Sequence, residues 1–263
     1  MLTDTHCHLD FDWFDIDRVQ VINRARAVGL GRLLNPGITI KSSENAIKLA
    51  DEYPEVYAAV GVHPNDGLSW DKKAISTMRN MAAHPKVVAI GEIGLDYYRD
   101  RTPKDLQKRI FLEQLDLAAE LDLPVVVHCR EAMGDMLEIL LGWKAKLDES
   151  LSSLAKFPGV LHYFSGNMLE GEKFRNSNFM LGLSGPITFK NAKTLQDLVI
   201  RLPLSSILIE TDAPFLTPHP YRGKRNEPGR VKLVAEKVAE LHQEAYKTVT
   251  KITAANAAEL FGW

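Results

Sequence analysis

Eight short, almost unbroken apolar runs, each followed by an amphipathic stretch, constrain this 263-residue chain more than any other feature. The runs are LTDTHCHL (2–9), GRLLNPGI (31–38), VYAAVGVHP (56–64), VVAIGEIGL (87–95), PVVVHC (124–129), GVLHYFSG (159–166), FMLGLSGPI (179–187) and SILIETDAP (206–214). Continuous rather than alternating hydrophobicity predicts parallel strands covered on both faces. Helical patterns fall near 17–29, 42–53, 71–83, 104–121, 131–157, 168–176, 191–201 and 230–241, with a last one at 246–261. In 104–121, Leu106, Ile110, Leu117 and Leu121 form one stripe, while Lys104, Lys108 and Asp116 lie elsewhere. Eight β/α repeats in about 250 residues are the pattern of a (β/α)8 TIM barrel, here expected as a single domain over 1–263. A doubly wound open sheet is the alternative, weakened by the lack of a glycine-rich phosphate loop after the first strand.

In a barrel, functional residues gather where strands end at the C-terminal face. The polar residues that close the apolar runs are His6 and His8 on strand one, His63 on strand three and Glu92 on strand four. His128 follows on strand five, His162 on strand six, and Glu210 and Asp212 on strand eight. Five of the eight histidines in the chain are used in this way. In the stretch DTHCHLD (4–10), His6 and His8 share a face at i and i+2 and Cys7 points the other way. Paired imidazoles on a buried face are costly unless their nitrogens are satisfied, and a metal cation satisfies them. Of the remaining histidines, His84 and His242 are expected at the surface. His219, in the proline-rich loop PFLTPHP, is a weaker candidate for approaching substrate.

Charge adds a restriction. With 32 basic and 34 acidic residues the net charge is −2, so any polyanion site must come from a local cluster. The loop YRGKRNEP carries Arg222, Lys224 and Arg225 just past strand eight, where three cations suit phosphate oxygens. Tyr97, Tyr98, Phe164 and Phe189 lie close to strand ends; half are expected in the core and the rest could stack bases. Cys7 and Cys129 are expected to be buried thiols facing away from the metal, not a disulfide pair. Reduced thiols, no transmembrane run and no signal segment before Leu2 point to a cytoplasmic protein. No membrane association and no obligate protein partner are expected, and the chain should be a monomer.

The motifs THCHLD (5–10), GVHP (61–64), GEIGLDYY (91–98), HCRE (128–131), HYFSG (162–166), ETDAP (210–214) and YRGKRNEP (221–228) together resemble the TatD-type deoxyribonucleases. These are metal-dependent hydrolases of the amidohydrolase superfamily, and the ordered match runs from Asp4 to about Phe261. The resemblance implies two divalent cations. His6 and His8 would hold the first, Glu92 would bridge both, His128 and His162 would hold the second, and Asp212 would return to the first. His63 corresponds to a phosphate-contacting histidine. One departure is visible: Met133 to Phe157 looks longer than in many relatives.

The chemistry expected of such a site is hydrolysis of a phosphodiester, most simply at the end of a DNA strand. A hydroxide shared between the cations would attack phosphorus, with Asp212 orienting the water and taking its proton. Glu210, one step deeper on the same face, would fix the tautomer of a ligand histidine, and Asp96 is a similar candidate. Four histidines favour zinc, manganese, nickel or iron over magnesium, although the family is generally described as magnesium-dependent. Two rivals stand beside this reading. One is a two-metal hydrolase of an amide, lactone or aminoacyl ester. The other is a non-catalytic metal-binding protein.

Overall fold

The computed structural model describes residues 1–99 and 101–263. Its strands are β1 Leu2–Asp4, β2 Leu30–Pro36, β3 Val56–Val60, β4 Val87–Asp96, β5 Val125–Arg130, β6 Gly159–Leu161, β7 Met180–Leu183 and β8 Ile207–Ile209. They form one sheet in sequential order with every paired neighbour parallel. The helices are α1 Arg18–Ala27, α2 Ile40–Glu52, α3 Ala74–Ala82, α4 Lys104–Leu121, α5 Met133–Glu149, α6 Met168–Asn176, α7 Lys193–Arg201, α8 Val231–His242 and α9 Tyr246–Phe261. The order is that of a (β/α)8 barrel. No helix among the described residues is long and apolar enough to cross a membrane.

The unbroken hydrophobicity of the strands resolves into two cores. Leu33, Ala58, Val60, Val125, Val127, Leu161, Leu181, Ile207 and Ile209 face outward into the layer shared with the helices. Their neighbours Leu34, Ala59, Val126, Val160, Met180 and Leu208 form a second cluster, to which α9 contributes Ala257, Leu260 and Phe261. Successive strand residues point to opposite faces, so burial on both faces requires apolar residues at every position.

The seam between β8 and β1 is closed by the segments just beyond them. The Thr5 amide donates to the Ile209 carbonyl (3.1 Å), the Asp212 amide to His6 (2.8 Å) and the His8 amide to Ala213 (2.8 Å). Beneath this, the buried Asp4 carboxylate accepts from the amide (2.9 Å) and hydroxyl (2.6 Å) of Thr211. The backbone that shuts the ring is therefore the backbone that carries His6, His8 and Asp212.

Most strands end earlier than their apolar runs suggest: β1 stops at Asp4, β6 at Leu161 and β8 at Ile209. Leu9, Phe164, Ile187 and Ala213 continue the runs but are buried in loops over the barrel. The stretch 131–157 likewise divides into α5 and a single helical turn at Ser153–Lys156.

Candidate metal centre

Glu92 lies on β4 where the register with β5 shifts between Gly91 and Ile93, an irregularity of the kind that re-aims a side chain. Its amide donates to Gly37 (2.7 Å), and its side chain is buried at the centre of a ring of imidazoles. The two carboxylate oxygens divide that ring. Oε2 lies 3.4 Å from Nε2 of both His6 and His8. Oε1 lies 2.9 Å from His128 Nδ1, 3.1 Å from His162 Nε2 and 3.5 Å from His63 Nε2. Asp212 completes the first side, with Oδ1 3.7 Å from His6 Nε2 and 3.6 Å from His8 Nε2. The six residues expected to converge do so within these distances. Among the described residues, three groupings have ligand atoms close enough to share a cation: His6–His8–Asp212, His6–Glu92–His162 and His63–Glu92–His128.

Hydrogen bonds on the far nitrogens decide which imidazoles offer a lone pair to the centre. His8 donates from Nδ1 to the Pro36 carbonyl (3.2 Å), leaving Nε2 directed inward. His128 Nε2 faces Asp96 Oδ2 at 3.2 Å, leaving Nδ1 inward. Asp96 is itself held by amides of Tyr98 and Arg99 (3.0 Å each) and by the Asn65 side chain (2.9 Å). His162 Nδ1 faces Glu210 Oε1 at 3.5 Å, and that oxygen also accepts from the Tyr163 amide (2.6 Å). Gly182 makes this possible, because a β-carbon there would run into the Glu210 carboxylate. Both acids named from their strand positions therefore back a histidine. His63 is the exception: its Nδ1 accepts from the Asn65 amide (3.1 Å), so the neutral ring carries its proton on Nε2. Burial holds this imidazole down to about 3, so it is neutral. On the cavity wall it presents a donor, 3.5 Å from Glu92 Oε1, which suits an anionic oxygen and not a cation.

The inward lone pairs of His6 and His8 meet at 3.2 Å with no proton between them if both rings present Nε2 as acceptors. Such convergence fits a cation, because no other partner satisfies every acceptor at once. Ionisation follows the same geometry. Burial would push Glu92 up, but His162, His63 and His6 hold it well below the usual carboxylate range. Burial lowers His6, seconded by the charge of His162. It would also lower His8, His128 and His162, but neighbouring carboxylates carry all three upward. Asp212 is pushed up to about 6 by burial, against His162 and His8.

Protons and cations compete for these atoms, so acidification should release metal. Protons fill the raised imidazoles, and Asp212 joins them as the pH falls through about 6. Manganese binding measured calorimetrically should weaken at least about tenfold between about pH 7.5 and about pH 5.5. Affinity that is flat across this range would contradict the assignment.

Above the centre opens a cavity of about 670 Å³, lined among others by His8, His63, Glu92, His128, His162 and Asp212. The cations on its wall are Arg99, Arg101 and Arg130, not the loop 222–225. Arg225 instead makes two contacts of 2.8 Å to Asp17 and one of 2.6 Å to the Trp13 carbonyl, with Glu227 at 3.4 Å. Arg222 lies over the Phe189 ring at 4.6 Å, and Lys224 is exposed. Arg225 is therefore a tie between distant segments, and Arg225→Ala should lower unfolding stability by about 1–2 kcal/mol in a denaturant titration. A wild-type midpoint would contradict that role. Arg99 and Arg101 lie just past β4 and Arg130 is the last residue of β5, so no compact basic cluster in the sequence marks them.

Other expectations resolve as follows. Phe164 packs in the core against Phe174, and the half-buried Tyr97 donates to Asp135 (2.6 Å). Tyr98 is exposed beneath Arg130. His84 and His242 are half-buried rather than at the surface, His84 facing Asp51 at 3.1 Å, and His219 is exposed and outside the cavity lining. Cys7 is buried away from the centre. Cys129 is half-buried at the cavity wall, with burial pushing its thiol up to about 12. Neither cysteine forms a disulfide.

A (β/α)8 barrel with imidazoles gathered around a carboxylate at its C-terminal mouth belongs to the class of barrels built to hold metal there. More narrowly, the chain belongs to the TatD-related DNase family, whose description matches residues 3–262. The uncharacterized metal-dependent hydrolase YabD of Bacillus subtilis is 42% identical over 99% of both chains. The 3'-5' ssDNA/RNA exonuclease TatD of Rahnella sp. is 36% identical over 94% of this chain and 93% of its own. Among solved structures, the TatD homologue YjjV of Escherichia coli K12 superposes with a TM-score of 0.91 at 31% identity, covering 100% of this chain and 98% of that one.

Proposed function

We propose that this protein is a metal-dependent 3'-5' exonuclease acting on single-stranded DNA, with two divalent cations held at the mouth of the barrel. The observation that carries the reading is the division of the Glu92 oxygens between two sets of imidazoles. His6, His8 and Asp212 with Oε2 would hold one cation, and His128 and His162 with Oε1 the other. Divalent cations in such a pair supply Lewis acidity toward a phosphoryl oxygen and lower the pKa of water.

The chain's own groups do the rest. Asp212, on the cavity wall, orients the attacking water and accepts its proton. His63 donates from Nε2 to a non-bridging phosphate oxygen, a role that its Asn65 hydrogen bond prepares. Asp96 holds His128 in the tautomer that faces the centre, and the Glu210 carboxylate, 3.5 Å from His162 Nδ1, favours a proton on that nitrogen. Arginines on the wall favour a phosphate-bearing substrate over a neutral amide or lactone. The relatives named as 3'-5' ssDNA/RNA exonucleases support both the substrate class and the direction of cleavage. The cytoplasm, where thiols such as Cys7 and Cys129 stay reduced, is the compartment this reading places it in.

The test is incubation with single-stranded oligonucleotides labelled at the 5' end, with and without chelator. A ladder shortening from the 3' end, abolished by chelator and restored by manganese or magnesium, is expected. Internal cleavage alone, or shortening that ignores chelator, would overturn the proposal.

A further inference from the structure

The cavity walls differ in chemistry, and each is attached to a different half of the metal centre. On one side Phe11 stacks on the His8 ring (centroids 4.8 Å apart, planes at 20°). Phe215 stands edge-on to Phe11 at 6.0 Å and edge-on to Trp13 at 6.0 Å. The Phe215 amide donates to the Asp212 carbonyl (2.8 Å), and the Trp13 carbonyl is gripped by Arg225 (2.6 Å). These rings are large, apolar and open to solvent, Trp13 at 55% and Phe215 at 43%. From the ends of β4 and β5, Arg99, Arg101 and Arg130 line the same cavity. The Arg99 amide is fixed by Asp96, the partner of His128, and Arg130 follows His128 by two residues. The Arg130 guanidinium lies 3.7 Å over the Tyr98 ring, an arrangement that fixes its plane and leaves its edge donors for a phosphate.

We propose that the mouth is a polarised slot, with the terminal nucleoside stacked on Phe11 and Phe215, which Trp13 flanks from outside the cavity, and the continuing strand crossing toward Arg99, Arg101 and Arg130. This rests on the exonuclease reading and adds the direction in which the strand lies. The polarity follows from what each end of the substrate carries. A terminal nucleoside brings a base and sugar but no further phosphate, and matches a wall of rings. The rest of the strand brings a phosphate at every step, and matches a wall of guanidinium groups. Asp66, beside Arg101, and Glu131, next to Arg130 in sequence, line the same cavity, so its cations serve discrete phosphate contacts and not a general field. A cavity of about 670 Å³ accommodates a nucleotide-sized group.

The test uses the metal-loaded protein and phosphorothioate-linked strands that resist cleavage, a dinucleotide and an octanucleotide, with binding read by fluorescence anisotropy. Wild type should prefer the longer strand. The triple variant R99A/R101A/R130A should lose that preference, and its log–log salt slope for the octanucleotide should fall by about two. Phe215→Ala should weaken both lengths about equally, by roughly tenfold. Phe215→Leu, which keeps the apolar volume without a flat π face, should behave in the same direction and separates stacking from packing. An arginine variant that still prefers long strands would overturn the slot, as would an aromatic variant whose loss is confined to the octanucleotide.

Cleavage of an unmodified octanucleotide by wild type is followed in parallel. No cleavage, with the binding pattern as stated, would retire the exonuclease reading and leave the slot as a single-strand site. Normal cleavage with length-blind binding would retire the slot alone.

Discussion

Glu92→Gln should reduce kcat/KM on a single-stranded oligonucleotide by on the order of 10³-fold or more, the equivalent of several kcal/mol of lost transition-state stabilisation. The substitution changes almost no volume and leaves the β4 backbone as it is. What it changes is one oxygen. In the wild type, Oε2 serves His6 and His8 while Oε1 serves His128 and His162. An amide must point its NH2 group at one of these sets, and a protonated nitrogen cannot ligate a cation. It also removes the negative charge that lies between the two sets of imidazoles. Metal content of the purified variant, measured by plasma mass spectrometry after removal of loosely bound ions, should therefore fall from two equivalents to one or fewer. Full occupancy with near-normal turnover would show that the two oxygens do not divide between two sites.

Asp212→Asn should lower kcat by about 10²–10⁴-fold, the usual range for removing a general base, with KM changed far less. The position makes this a clean experiment. Asp212 adopts φ 55°, in the left-handed region, and asparagine is among the few residues that tolerate it. Its amide contact to the His6 carbonyl (2.8 Å) survives the change, as does an oxygen able to face His6 and His8. The variant should fold and bind metal at the first site while lacking a group to take the proton from water. Unaltered kcat would remove Asp212 from the chemistry, and a rise in KM alone would make it a binding residue.

Much of this architecture is legible in the chain before it folds. The patterns at 104–121, 168–176 and 246–261 coincide with α4, α6 and α9 because amphipathic helices announce both their period and their ends. Strand ends are less legible. Leu9, Phe164 and Ile187 are buried beneath loops, and nothing in a short apolar run separates a buried loop from another ladder residue. Histidine and carboxylate positions at the ends of apolar runs were visible because polar groups are conspicuous against hydrophobic strands. Their pairing came only through the family resemblance, which implied Glu92 between the His6–His8 and His128–His162 sets. That Glu92 faces two imidazole sets, or that Asn65 fixes the proton on His63, depends on hydrogen bonds between segments far apart in sequence. The cations illustrate the same limit. Arg222, Lys224 and Arg225 form the conspicuous cluster, yet Arg225 turns to Asp17, 208 residues away. Arg99, Arg101 and Arg130 are scattered in the sequence and meet only at the cavity.

Anomalous diffraction from crystals soaked in manganese tests the central claim most directly. The account predicts two peaks per chain, one contacted by His6, His8 and Asp212 and the other by His128 and His162, with a different Glu92 oxygen on each. A single peak, or two peaks of which either fails to touch Glu92, would contradict it.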